Sequence, residues 1–340
     1  MESRPGTRHN MRIGRTGRME RVGPAGRGER GERGERGERG ERGGPGGPAG
    51  SGSRARPPED AAVREENPTV ALPLVSPAHM IPVQVIEREP AAPGVVTVYI
   101  VLPGTQQAPA PYLPGQFVTL ALPTPRETLY RSYSLCGDGD ASQPWSLTIK
   151  RLDKGAVSTY FYNSVVAGTL LYSSIPRGTF TLPAHLRPDM TLVMVAAGSG
   201  ITPIMGMLRA VSTLPAQDQP LVQLHYASRS VDDIIFGREL GELDLDASWL
   251  RQWHYLSSEG NRMTAEAILA RAGTLARRSH WYICGPDALK RQLQEQLGRL
   301  GTPPEQVHSE IFATAAGPAY KLTGGPGAAT GGRVLIAETG

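Results

Sequence analysis

Near residue 187 the hydrophobic rhythm of this chain changes, and that change constrains the fold more than any other feature of its 340 residues. Before it, the runs VVTVYIVLPG, GQFVTLALP, WSLTIKRL and GTLLYSSIPRGTFTL carry β-branched and aromatic residues bounded by Gly or Pro. This is the pattern of an antiparallel barrel or sandwich. One segment among them, AVSTYFYNSV at 156–165, looks helical and could cap such a barrel. After the change, MTLVMVAAG, PLVQLHYASR and HWYICGP are apolar runs without alternation. Helical segments, ITPIMGMLRAVSTL, TAEAILARAG and DALKRQLQEQLGRLG, follow them in turn. Unbroken apolar strands separated by helices indicate a parallel sheet covered on both faces. The expected architecture is therefore two domains, β then α/β, the first over 78–186 and the second over 187–313.

Residues 1–66 have little to bury. They hold 15 Arg, no Lys and 11 acidic residues, so the chain's net charge of +4 belongs to this tail. The other 21 basic and 21 acidic residues balance, which gives a nucleic-acid footprint on the folded part no support. Gly recurs at every third position from 28 to 46, the period of collagen. The register breaks at Ala49 and proline is scarce, so the expectation is a disordered Gly/Arg/Glu-rich tail, or a start codon placed too far upstream of Met80.

With two cysteines, Cys136 and Cys284, a disulfide framework is not expected, a reducing cytoplasm fits, and an iron–sulfur cluster held by four thiolates of this chain is excluded. No apolar stretch reaches the ~20 residues of a membrane span, and the Arg-rich start is not followed by an apolar signal core.

Six short stretches could carry chemistry. In RSYS, residues 131–134, Arg131, Tyr133 and Ser134 are either ordinary strand residues or three handles on one large, flat, anionic ligand in a loop. In GAVS, residues 155–158, Gly155 permits a tight helix entry, Ala156 and Val157 offer backbone N–H groups, and Ser158 either caps the helix or donates to a phosphate. Lys150, on the preceding strand, adds charge for the same anion or sits on a solvated edge. In GSGITP, residues 198–203, Gly198 and Gly200 let backbone approach a ligand while Thr202 and Pro203 open a helix whose unpaired N–H groups suit phosphate. CGP, Cys284, Gly285 and Pro286, ends a strand at the carboxyl edge where open α/β sheets bind ligands. EIF, with Glu310 and Phe312, follows the last expected strand. SRS, after the second α/β strand, brings Ser228 and Arg229, with Asp232 and Asp233 close behind.

Taken in order across the β-to-α/β boundary, RSYS, GAVS, GSGITP, CGP and EIF resemble the ferredoxin–NADP reductase superfamily, over about residues 80–313. Within it the chain looks most like reductase components of bacterial oxygenases, of the phenylacetyl-CoA oxygenase and steroid hydroxylase type. The resemblance implies a Greek-key barrel that binds FAD, followed by a domain for NAD(P)H. It implies that Arg131, Lys150 and the GAVS backbone hold the flavin pyrophosphate, that Tyr133 stacks on the ring, and that Ser134 bonds near its N5. GSGITP and CGP would then hold the nucleotide with Cys284 beside the nicotinamide, and Ser228 with Arg229 would lean toward the 2′-phosphate of NADPH, against the nearby Asp232 and Asp233. Ser134, Cys284 and Glu310 would serve hydride transfer, Phe312 would pack, and electrons would leave to an iron–sulfur protein or oxygenase component.

Many members continue past this point into a plant-type ferredoxin domain. Here a Gly/Pro/Ala-rich linker leads to RVLIAETG, which reads as one strand of a truncated ferredoxin domain within 314–340. A flavin-binding module left without turnover by truncation, or a free-flavin or ferric reductase, are the alternatives.

Overall fold

The computed structural model describes residues 80–123, 128–153, 155–246 and 248–310, with short strands at 11–13, 19–21, 312–313 and 336–337. The collagen-period triplets, the side chain of Phe312 and most of the linker after 313 lie outside the described residues. Met11–Ile13 and Met19–Arg21 pair antiparallel, and Phe312–Ala313 pairs with Ile336–Ala337 in parallel, so the RVLIAETG stretch does contain a short strand. The β and α/β halves belong to one compact unit, Met1–Val22 with Leu72–Gly340; the other, Gly23–Ala71, lies outside the described residues.

Six strands form the first half: β1 Ile81–Ala92, β2 Val95–Val101, β3 Phe117–Pro123, β4 Thr128–Ser134, β5 Trp145–Lys150 and β6 Leu170–Ser173. Their order is β4-β3-β6-β1-β2-β5, every neighbour antiparallel, with β6 returning between β1 and β3. A bridge between Leu135 and Leu147, with the Cys136 N–H donating to the Ser146 carbonyl at 2.9 Å, joins the two outer strands and closes the barrel. Alternate residues point inward, so Val83, Val98, Ile100, Leu120 and Leu147 meet in its core. Helix α1, Ala156–Ser164, lies between β5 and β6 and sends Val157 and Phe161 into that core.

One part of this half differs from the sequence reading. RSYS is not a loop: Arg131, Tyr133 and Ser134 lie in β4 and pair with Leu120, Val118 and Phe117. Within GTLLYSSIPRGTFTL the strand covers Leu170–Ser173. Regular structure stops at Ser173 because Pro176 lacks an N–H to donate and Gly178 takes a φ of 111°.

The second half alternates β7 Thr191–Ala197, α2 Ile201–Ser212, β8 Leu221–Ser228, α3 Gly237–Asp246, β9 Leu250–Leu256, α4 Ala265–Ala272, β10 His280–Cys284, α5 Asp287–Leu300 and β11 Val307–Glu310. The sheet is wholly parallel in the order β9-β8-β7-β10-β11. Along β7, Leu192, Met194 and Ala196 face the α2 side while Val193 and Val195 face the α4 and α5 side. Burial on both faces is the reason these runs do not alternate. Chain order reverses between β7 and β10, so the crevice for a ligand lies beyond their carboxyl ends.

Candidate active site

The two strands that flank this reversal end in GSGITP and CGP. Gly198 takes a φ of 54°, the left-handed region that favours glycine, and starts a tight turn whose Ser199 and Gly200 are buried. At Gly200 a methyl group would stand 3.0 Å from the Cys284 carbonyl carbon and 3.3 Å from its Sγ, with the carbonyl oxygen nearer still. Only glycine lets the two turns lie this close. The Thr202 hydroxyl donates to the Ser199 carbonyl at 2.9 Å, and the Tyr226 hydroxyl donates to the Gly198 carbonyl at 3.0 Å while accepting from the Ile235 N–H. The turn is thus held from inside α2 and from β8, with Pro203 buried in the first turn of the helix. Gly285 and the exposed Pro286 lead from Cys284 into α5, for which Pro286 is the N-cap.

Cys284 is fully buried and lies beside Ala196 on one flank and Glu310 on the other. Glu310 is the last residue of β11 and not a follower of it. As a residue it is half-buried, yet its Oε2 is closed to solvent and has no hydrogen-bond partner. Loss of hydration raises its pKa to about 8, so at pH 7 this carboxyl is mostly protonated.

On the barrel side, Ser134 ends β4 with its hydroxyl buried and unpartnered. Tyr133 points the other way, is 5 % exposed, and sits in the barrel core with its ring tilted 59° against Phe161 at 5.6 Å. Arg131 is half-buried and donates from Nη1 to the Tyr130 carbonyl at 2.8 Å, leaving its other donors for a ligand. The Ser158 hydroxyl makes neither an N-cap bond nor a free handle. It accepts from the Leu152 N–H at 3.0 Å and donates to the Gly155 carbonyl at 3.2 Å, which fixes the turn before α1. Val157 is buried in the barrel, so this turn offers a ligand its backbone N–H groups.

Beyond β8, Ser228 Oγ is also buried without a partner. Arg229 is 83 % exposed at its side chain and reaches the Asp233 carboxylate at 3.3 Å. The Ser230 hydroxyl donates to the same oxygen at 2.6 Å. That bond, helped by Arg229 and by the charge of Lys150 at the end of β5, holds Asp233 below the usual carboxylate range. Lys150 of the barrel and the SRS turn of the α/β half are therefore within electrostatic reach of each other.

A buried hydroxyl or carboxyl left unpaired costs roughly 1–3 kcal/mol. Here such atoms stand at the ends of β4, β8 and β11, beside glycine turns that admit a ligand close to backbone. Other orphaned polar atoms, such as His225 Nε2 in β8, Arg88 Nε in β1 and Gln306 Oε1 before β11, stand away from these strand ends, so it is the location of these three that matters. The donor set fits a flavin nucleotide at the barrel and a pyridine nucleotide at the reversal of the sheet. Among the described residues no three His, Cys, Asp or Glu side chains gather to hold a metal ion, both cysteines are buried and outside any disulfide, and no helix is long and apolar enough to cross a membrane. The sequence reading did not single out Tyr226, Arg209 or Glu239, which position these elements. An isolated Gly206 inside a helical pattern was the available signal that α2 packs closely on something.

Comparison with known proteins gives the same two parts. Residues 82–182 match the oxidoreductase FAD-binding domain and residues 194–295 the oxidoreductase NAD-binding domain. The ferredoxin reductase component of 3-ketosteroid-9-alpha-monooxygenase from Mycolicibacterium smegmatis is 33 % identical over 203 residues, 59 % of this chain and 56 % of the relative. An NADPH oxidoreductase of Mycobacterium tuberculosis is 32 % identical over 237 residues, 67 % of this chain and 57 % of the relative. Among solved structures, the FAD/NAD-binding domain of nitric oxide dioxygenase from Vibrio cholerae superposes with a TM-score of 0.58 at 23 % identity, covering 68 % of this chain and 98 % of that one. The chain spans little more than half the length of the curated relatives it matches.

Proposed function

The chain belongs to the ferredoxin–NADP reductase superfamily, and on that premise we propose that it is an NAD(P)H-dependent flavoprotein reductase passing electrons to an iron–sulfur protein or oxygenase component. The observation that carries this is the convergence of two glycine turns, Gly198–Gly200 and Cys284–Gly285, beside the buried, unpartnered Glu310 Oε2, with a matching orphan at Ser134 on the barrel. Bound FAD would accept one hydride and release its two electrons singly.

The chain's own residues bind, orient and exclude water. Residues 78–186 form the flavin half, where Arg131, Lys150 and the backbone of Gly155, Ala156, Val157 and Ser158 hold the pyrophosphate. Guanidinium suits phosphate oxygens in two-point contact. Ser134 Oγ, having no other partner, bonds near the flavin N5, while Tyr133, turned into the barrel core against Phe161, braces the strand that carries it. Residues 187–313 form the nucleotide half. Gly198, Gly200, Thr202 and Pro203 present the N-terminus of α2 to the nucleotide phosphates, and Cys284, Gly285 and Pro286 set the nicotinamide against the flavin. The Glu310 carboxyl keeps its proton at neutral pH, so it can donate a hydrogen bond to a carboxamide or give that proton up.

Ser228 and the largely free Arg229 favour NADPH, because guanidinium pairs with a 2′-phosphate. The external acceptor is an iron–sulfur protein or oxygenase component, in line with relatives named as ferredoxin reductase components. The charge balance of residues 67–340 gives a nucleic-acid partner no support, and cysteines outside any disulfide fit a cytoplasmic setting.

The test is reduction of ferricyanide by the FAD-loaded protein with NADPH as donor. Rapid turnover with tightly held flavin is expected. No turnover would identify a flavin-binding module, and turnover only with added free flavin would identify a free-flavin reductase.

A further inference from the structure

Helix α2 runs from the nucleotide turn to the barrel, and Arg209 makes its polar contact there. Arg209, about 14 Å along the helix from Gly200 at ~1.5 Å per residue, donates from Nη1 to the Cys136 carbonyl at 2.8 Å. Its Nε and Nη2 donate to both oxygens of Glu239 on α3, each at 2.7 Å. The guanidinium also lies over the Phe236 ring at 5.2 Å from its centroid. Phe236 takes a φ of 60°, the one positive value at a non-glycine among the described residues, immediately before α3. One turn earlier on α2, a methyl group at Gly206 would stand 2.7 Å from the Gly137 carbonyl oxygen and 3.1 Å from that of Leu135. The helix therefore lies directly on the backbone of residues 135–137. These residues follow Ser134 without a gap. Beside this contact, the Tyr282 hydroxyl of β10 donates to the Thr181 carbonyl at 3.2 Å, and its ring packs edgewise on Phe180.

We propose that Arg209 is a positioning residue which locks the strand end carrying Ser134 to the helix that begins at the GSG turn, and so fixes the spacing between the flavin and nucleotide halves of the site. The argument rests on the reductase reading above. Arg is required because its planar fork meets a carboxylate through two N–H groups while a third reaches a carbonyl, and an ammonium group lacks that geometry. An ordinary surface ion pair would tolerate Lys. Here the Cys136 carbonyl depends on the third donor. Hydride transfer needs the reacting atoms held within a few tenths of an ångström, and ~1 Å of misplacement costs about a hundredfold.

The test compares Arg209→Gln, Arg209→Lys and, as a control, Arg238→Ala, whose side chain pairs with Glu242 on the exposed face of α3. Two quantities are read: the limiting rate of anaerobic flavin bleaching by NADPH, and amide hydrogen exchange in flavin-free protein. Both Arg209 variants are expected to bleach about tenfold to a hundredfold more slowly, with FAD content retained and the nucleotide dissociation constant changed by less than about threefold. Exchange at residues 135–137 should rise in the flavin-free Arg209 variants and stay unchanged in Arg238→Ala. If Arg209→Gln fails to fold, Arg209→Lys, which keeps the charge beside Glu239, decides alone. Wild-type bleaching in Arg209→Lys together with unchanged exchange at 135–137 would overturn the assignment, as would rate and FAD content falling in step. A wild-type protein that takes up no flavin would defeat the reductase reading instead, leaving the exchange comparison to judge the lock by itself.

Discussion

Replacing Gly200 by Ala perturbs the site at its tightest point. The added methyl would meet the Cys284 carbonyl carbon at 3.0 Å and Sγ at 3.3 Å, where ordinary contacts lie between 3.4 and 4 Å, and the carbonyl oxygen is closer still. Neither side can yield cheaply. The GSG turn is bonded to Thr202 and Tyr226, and Cys284 is clasped between β7 and β11. The two turns must therefore separate by the better part of an ångström. Overpacking of this kind costs about 1–3 kcal/mol. At about 2–4 °C per kcal/mol for a body of this size, the melting temperature should fall by roughly 2–12 °C. Hydride transfer should slow by about tenfold to a hundredfold, because the gap opens beside the reacting rings, while FAD content stays at the wild-type level. Thermal unfolding and anaerobic stopped-flow reduction measure the two effects. Gly298→Ala is the matched control, since in α5 its methyl meets nothing within 4 Å; it should raise stability by up to about 1 kcal/mol. If Gly200→Ala melts and reacts like wild type, the two turns are not packed as described and the reasoning fails.

Other outcomes are expected elsewhere in the site. Glu310 has a folded pKa raised from 4.5 to about 8, so its favourable contribution is complete below about pH 4.5 and is lost as pH rises through 8. Glu310→Gln should therefore gain on wild type in melting temperature between pH 5 and 9, by a fraction of the ~1.4 kcal/mol per pH unit that full burial would give. Parallel profiles would mean the carboxyl titrates normally. Ser134→Ala should slow flavin reduction more than it weakens FAD binding, since its hydroxyl has no structural partner to lose; equal losses would make it a binding residue only. Arg229→Ala should raise KM for NADPH and leave that for NADH unchanged, and a shared rise would move Arg229 to a group common to both nucleotides.

Much of this was legible in the sequence because burial on two faces leaves a different trace from burial on one. The runs at 191–197, 221–228 and 280–284 announced a parallel sheet for that reason. Strand β9 and helix α3 escaped notice. LRQWHYL mixes Arg251, Gln252 and His254 among its apolar residues at the sheet edge, and GRELGELDLD is dominated by charge. RSYS looked like a loop because its polar residues masked a strand whose partner, FVTLALP, supplies the apolar pattern. The order of the motifs along the chain placed GSGITP, CGP and Glu310 correctly at one edge of the sheet. It did not reveal that Ser158 is absorbed by its own turn, that Tyr133 packs on Phe161, or that Asp233 engages Arg229. Those depend on side-chain partners that a linear spacing does not specify. The Arg209 contact was hidden for a related reason: its acceptor is a backbone carbonyl 73 residues away.

The most direct measurement is the visible absorption spectrum of the purified protein, loaded with FAD and followed anaerobically on adding NADPH and, separately, NADH. A flavin spectrum that bleaches, faster with NADPH, is the expected result, and it would establish cofactor, hydride transfer and nucleotide preference together. A protein that stays colourless after FAD is supplied, or a bound flavin that neither nucleotide bleaches, would contradict the account at its centre.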